Sequence, residues 1–203
     1  MAFCIFGDNF LILQPIQCFI MNFIIFDLEA TCWQTESERK GRTQEIIEIG
    51  AVKINEYGKT ESRFESFVRP IIHPNLSDFC RSLTSITQVD VNRADTFPEV
   101  IADFQEWIGL NDEEEYLFCS WGFFDQRALS KNCLLHEIDD EWTKPHISLK
   151  HQYPRIKGLG YAPGLKHAVE KEGFDFEGAH HRGIDDALNL AKIFLKYQNQ
   201  WQF

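Results

Sequence analysis

Asp27 and Glu29 stand two positions apart at the end of an apolar run, Asn22 to Phe26. On a β-strand residues i and i+2 face the same way, so the two carboxylates project together while Leu28 points into the core. Two carboxylates at a strand end repel each other unless a cation sits between them. A solvated strand end is the ordinary alternative, but an acidic residue continuing an apolar strand needs a partner. A second acid, Asp125, closes the stretch Trp121-Gly122-Phe123-Phe124-Asp125. It follows an apolar run and opens a helical one, where it could cap the helix and still face a metal. The third signal is His180-His181-Arg182-Gly183-Ile184-Asp185-Asp186-Ala187, in which each His lies five residues before an Asp. A helical wheel separates the two registers. From Asp185 the same face carries Asn189, Lys192 and Lys196, a polar stripe expected in solvent; from Asp186 it carries Leu190, Ile193 and Tyr197. Asp186 is therefore expected at the buried flank, with His181 as its partner. Consecutive side chains on an extended segment point apart, so His180 is expected to be a bystander. Acids this far apart in the chain converge only through a fold.

The elements that must bring them together are legible. Asn22–Leu28 reads as a buried strand with β-branched Ile24 and Ile25, Ile46–Asn55 as a second, and Arg63–Arg69 as a third, stopped by Pro70. These three form a meander. Residues 33–44 read as a surface loop. Thr96-Phe97-Pro98-Glu99 is a capped helix start, followed by the stripe Val100, Ile101, Phe104, Trp107 and Ile108. Tyr116–Cys119 is a fourth strand. Asp125–Leu135 is a helix with Leu129 and Cys133 inward and Leu134 a third candidate. Ile147–Leu149 is a short fifth strand. Residues 152–164, with two prolines and three glycines, read as a loop; Leu165–Glu172 and Ile184–Tyr197 read as helices. A meander followed by alternating helices and strands predicts an α/β domain with a mixed sheet.

The three acidic motifs resemble those of the DEDDh 3′→5′ exonucleases. The segments Leu76-Ser77-Asp78-Phe79-Cys80, Leu83-Thr84, Ile86-Thr87-Gln88 and Ala94-Asp95-Thr96-Phe97-Pro98 are similar to the branch that holds the histone-mRNA 3′ exonucleases and the bacterial KapD-like proteins. So are Glu45-Ile46-Ile47-Glu48 and Val68-Arg69-Pro70, and the match runs from about residue 22 to 198. The resemblance implies a ribonuclease H-like fold, a central five-stranded mixed sheet flanked by helices. It implies two Mg²⁺ or Mn²⁺ ions, the first bound by Asp27, Glu29 and Asp186, the second bridged by Asp27 and held by Asp125. Two such ions about 3.5–4 Å apart activate water and stabilise a leaving oxygen. His181 would take the proton, a task for a group that titrates near neutrality. Ala30, Thr31, Phe79, Phe124 and His181 would contact the terminal nucleotide, Phe79 and Phe124 as a base clamp whose ordinary alternative is core packing. The loop residues Arg39, Lys40, Arg42, Arg155 and Lys157 are candidates for phosphate contact, or simply solvated. No separate nucleic-acid-binding domain accompanies the match, so stem-loop recognition is not expected.

The expected activity is release of nucleoside 5′-monophosphates from single-stranded nucleic-acid 3′ ends, RNA favoured over DNA. A DNA-trimming or proofreading exonuclease is the rival on the same scaffold; an inactive RNA- or protein-binding module is the rival of another class. Composition agrees with a short-footprint enzyme. The 203 residues suffice for one domain, and 44% hydrophobic content with eighteen Phe provides a core. A net charge of −11 argues against long backbone tracking, which takes a basic surface. Cys4, Cys18, Cys32, Cys80, Cys119 and Cys133 form no CxxC pair, so buried reduced thiols and a cytoplasmic setting are expected. No run reaches transmembrane length, and no membrane partner is expected. Residues 1–20 read as an extension ahead of an exonuclease domain spanning 21–203, Met21 marking a possible start.

Overall fold

The computed structural model describes residues 21–110 and 115–203; the proposed extension, 1–20, lies outside the described residues. Strand β1 (Asn22–Ala30) is the centre of a five-stranded sheet. It pairs antiparallel with β2 (Ile46–Asn55), which pairs antiparallel with β3 (Thr60–Phe67). On its other side it runs parallel to β4 (Tyr116–Ser120), and β4 parallel to β5 (His146–Ser148), so the order is β3-β2-β1-β4-β5. The expected mixed sheet is present.

Eight α-helices occur among the described residues: α1 (Glu36–Arg39), α2 (Asp78–Thr84), α3 (Gln88–Arg93), α4 (Phe97–Ile108), α5 (Phe124–Leu135), α6 (Leu149–Lys157), α7 (Leu165–Lys171) and α8 (Gly183–Lys196). The alternation of β1 divides them into two layers. Ile24, Phe26 and Leu28 point into a core with α4 and α5, built on Phe97, Phe104, Phe118 and Leu129. Phe23 and Ile25 point the other way, against Leu149, Tyr153, Leu190, Ile193 and Phe194 of α6 and α8. The period of two extends this second face to Asp27 and Glu29. The strand is thus apolar where the body of α8 covers it and acidic where α8 begins.

How closely α8 begins against the sheet is set by two glycines. A Cβ on Gly50, which pairs with Asp27, would stand 2.0 Å from the backbone nitrogen of Ile184. A Cβ on Gly183 would stand 3.0 Å from the Asp27 carbonyl oxygen and 3.1 Å from the Gly50 nitrogen. Backbone meets backbone here, and side chains would force the helix off the strand.

The structure departs from expectation in several places. Residues 33–44 are not loop throughout: Thr35 caps the short helix α1 at Glu36–Arg39. Residues 149–157 form α6 despite Pro154, which deprives the Lys150 carbonyl of its helical donor. Burial of Leu149 and Tyr153 and a left-handed Gly158 cap outweigh that loss. Leu134 lies outward, 62% exposed. Asn189 is buried, its amide bonded to the carbonyls of Glu177 and Asp185. Lys157 is not free for phosphate: with Lys196, Tyr153 and Tyr197 it surrounds the Glu172 carboxylate. Burial alone would raise that carboxyl, but these bonds, from Lys196 foremost, hold it at about 2.

Among the described residues no helix is long and apolar enough to cross a membrane. Cys80, Cys119 and Cys133 are buried free thiols and Cys32 is half-buried; Cys4 and Cys18 lie outside the described residues.

Candidate active site

Asp27, Glu29, Asp125 and Asp186 line one cleft of about 370 Å³, together with His180 and His181. Oxygens of Asp27, Glu29 and Asp186 lie within 4.8 Å of one another. Asp27 and Glu29 come from β1, Asp186 from the first turn of α8, where the helix N-terminus favours negative charge. Asp125, in the first turn of α5, accepts the Leu28 N–H at 3.2 Å, so its carboxylate is tied to the strand between the other two acids.

Buried and crowded together, the acids repel one another as carboxylates and hold their protons more tightly. Burial first, then Asp125, Asp186 and Glu29, raise the Asp27 carboxyl well above its ordinary value. Burial and then Asp186 push Glu29 up to about 8. Burial raises Asp125 to about 6 against the opposing bond from Leu28, and raises Asp186 against its bonds to the histidine segment. Among the described residues Lys150 is the one Lys or Arg on the cleft wall. Crowded hard oxygen donors with an imidazole edge form a set that fits Mg²⁺ or Mn²⁺.

The fold state should report this crowding. Between 4.5 and about 8 the folded Glu29 holds a proton that the unfolded chain has lost. Its stabilising contribution is complete below 4.5 and disappears as pH rises through 8. Without divalent ion the melting temperature should therefore fall from pH 5 to pH 8, and Glu29→Gln should flatten the slope. Mn²⁺ at a hundredfold its dissociation constant should restore about 2.7 kcal/mol, roughly 5–10 °C, and much less in Asp27→Ala. A flat profile, or equal Mn²⁺ shifts in both proteins, would place the cation elsewhere.

The histidine segment is held on both sides. Asp186 takes the Nδ1 of His180 at 2.9 Å on one oxygen and the backbone N–H of His181 at 3.0 Å on the other. His181 has φ of 67°, left-handed and uncommon for a side chain of its size. That turn stacks the two rings, 4.0 Å apart, instead of pointing them apart as an extended segment would. His181 Nδ1 lies 4.0 Å from Glu29. Its imidazole is lowered by burial and by His180, against the pull of Asp186. Asp185 is not the plain surface charge expected of it: its carboxylate accepts the Ala179 N–H at 2.8 Å and packs against Gly178, shaping the same loop.

Two residues that pattern reasoning left without a role complete the frame. Register places Glu48 of β2 opposite Glu29, a like-charge pair. Arg182 relieves it, with Nε and Nη2 both on the Glu48 carboxylate and the Gly183 N–H at 2.8 Å on the same group. Glu48 thereby anchors the turn that leads from the histidines into α8. A charged residue inside the apolar run Ile46–Asn55 was the available signal. Phe124 is 50% exposed at the cleft edge, and Phe79 is half-buried at the start of α2, outside the apolar clusters. Ala30 and Thr31 are buried; the Thr31 hydroxyl accepts the Glu45 N–H at 3.0 Å. Arg39, Lys40, Arg42 and Arg155 are exposed.

Residues 24–194 match the RNase_T family, described as Exonuclease. The chain belongs to the exonuclease family. It is 35% identical over 179 residues to human (Homo sapiens) 3′-5′ exoribonuclease 1, covering 85% of this chain and 51% of that protein. It thus spans about half the length of that relative. The probable 3′-5′ exonuclease KapD of Bacillus subtilis is 30% identical over 182 residues, covering 90% of this chain and 87% of KapD. The crystal structure of the nuclease domain of 3′hExo, a DEDDh family member bound to rAMP, superposes with a TM-score of 0.79 at 32% identity, covering 90% of this chain and 94% of that one. This exonuclease therefore shares the ribonuclease H-like α/β fold of the DEDDh enzymes.

Proposed function

We propose that this exonuclease is a metal-dependent 3′→5′ enzyme that releases nucleoside 5′-monophosphates from the 3′ ends of single-stranded RNA. The observation that carries the reading is the cluster of Asp27, Glu29 and Asp186 oxygens from a strand end and a helix start, with Asp125 tied behind them. Relatives named as 3′-5′ exoribonucleases, and a related nuclease domain bound to rAMP, support RNA as substrate and a nucleotide as product.

In this reading Asp27, Glu29 and Asp186 would hold one Mg²⁺ or Mn²⁺, and Asp125 with Asp27 would hold a second. Bound ions would supply activation of water and neutralisation of the leaving oxygen. His181 accepts the proton of the attacking water; its ring carries no bond as short as that of His180 to Asp186, and burial lowers its imidazole below the ordinary value, favouring the neutral form. Glu48 and Arg182 are positioning residues for the turn that bears it. Phe124 and Phe79 grip the terminal base by its faces.

A single assay tests the reading: purified protein with 5′-labelled RNA and DNA oligonucleotides of one sequence, with and without Mn²⁺. A ladder of RNA shortened from the 3′ end, dependent on Mn²⁺ and faster than for DNA, is expected. Faster DNA shortening would favour a DNA-trimming enzyme, and binding without cleavage a recognition module. The clamp has its own measure. Base stacking is worth about 1–3 kcal/mol per base and reads no sequence, so Phe124→Ala and Phe79→Ala should each raise KM about 5- to 150-fold for every terminal base. Unchanged KM with a lower melting temperature would make the residue a packing element.

A further inference from the structure

Beyond the edge of the catalytic cleft, past Phe124, lies a larger groove of about 850 Å³ between α5 and the segment leading into β2. Gly122, Phe124 and Lys150 line both, so the groove and the cleft adjoin at these residues. Arg42, Arg127, Lys131 and Lys150 line the groove, and no Asp or Glu does. The chain as a whole has 31 acidic against 20 basic residues, so the groove reverses the charge of the protein around it. None of these four cations is in an ion pair among the described residues; Arg42 lies over the Trp33 ring, 5.1 Å from its centre. Arg127 and Lys131 are exposed and four residues apart on α5, one above the other on the same face, about 6 Å along its axis. Phe123 on the groove wall is 39% exposed, with the Arg127 guanidinium 5.6 Å and the His151 ring 4.6 Å from its ring centre.

We propose that this groove is the track for the nucleotides on the 5′ side of the scissile bond, with Arg127, Lys131, Lys150 and Arg42 on their phosphates and Phe123 offering a face to a base. The proposal rests on the exonuclease reading above, since the 3′ end must enter the carboxylate cleft for the preceding nucleotides to leave across Phe124. Unpaired cations beside a stacking ring are the chemistry that holds a single strand without reading its sequence. The track reconciles a net charge of −11 with a nucleic-acid substrate: the grip is local. It also accounts for what pattern reading missed, because Arg127, Lys131 and Lys150 are scattered singly in the sequence and form a stripe only when α5 and the start of α6 are folded.

The test compares RNA length. Arg127→Gln/Lys131→Gln is made in the full chain beside Lys166→Gln/Lys171→Gln, the same charge change at exposed positions of α7. For a single-stranded 12-mer the α5 variant should raise KM on the order of tenfold. Its log–log salt slope should shrink by about 1.4, two phosphate contacts at about 0.7 each. Turnover of a dinucleotide, which places a single nucleotide beyond the scissile bond, should fall much less than that of the 12-mer, and the α7 control should match wild type on both. Equal loss on dinucleotide and 12-mer, an unchanged 12-mer KM, or an equal loss in the control would overturn the track. A wild type that cleaves RNA of no length would instead overturn the exonuclease reading, and the track with it.

Discussion

Asp27→Ala should lower the rate of 3′-end shortening by at least about 10³-fold, the consequence of losing several kcal/mol of charge stabilisation at the reacting phosphate. Asp27 faces Asp125, Asp186 and Glu29 at once, so its removal takes away the acid that the other three share. Glu29→Ala, Asp125→Ala and Asp186→Ala should fall in the same range. Asp185→Ala is the discriminating control. It loses the bond to the Ala179 N–H and loosens the loop, so stability should drop while the rate falls less than about tenfold. Single-turnover cleavage of a labelled RNA with saturating Mn²⁺ measures all five, and an Asp185 variant as inactive as Asp186→Ala would move the site to the other register.

His181→Ala should cost 10²- to 10⁴-fold in kcat, the usual contribution of a positioned general base. Mn²⁺ binding, read from the melting temperature, should persist because the carboxylates remain. The pH profile gives the sign. A base works when neutral, and burial lowers the His181 imidazole below its ordinary 6.5, so the acid limb of the wild-type kcat profile should lie below that value. The limb should disappear in His181→Ala. His180→Ala removes a 2.9 Å bond to Asp186 and a stacked ring, so a loss of about tenfold with the limb retained is expected, more than for a bystander. Exchange of the two behaviours would assign the proton to His180.

The sheet was legible because its strands are bounded by turn residues and alternate or run apolar, as Asn22–Leu28 and Arg63–Arg69 do. The carboxylates were legible because Asp27, Asp125 and Asp186 are acids set against apolar neighbours. The short helices escaped. α1 and α3 each begin with a capping box, Thr35 with Glu38 and Thr87 with Asp90, but carry too few residues for a periodic stripe. α6 escaped because Pro154 and the following glycines outweigh local pattern, while the burial that stabilises it comes from distant parts of the chain. The stacking of the histidines was hidden in one backbone angle at His181, which no residue type announces. Glu48 was visible as a buried charge, but its partner, Arg182, lies more than a hundred residues away and only the fold joins them.

The docking of α8 on β1 through Gly50 and Gly183 has a meaning in time as well as space. Asp27 and Asp186 are separated by about 160 residues of synthesis. At about 5–20 residues per second, roughly 8–30 s pass between the emergence of the first carboxylates and that of the helix that completes their cluster. Throughout that interval the growing polypeptide is tethered to a message and to ribosomal RNA, yet lacks Asp186 and both histidines. A protein made on RNA and proposed to degrade it acquires the last acid of its cleft only when α8 seats against β1, so completion of the cluster is deferred by chain order alone.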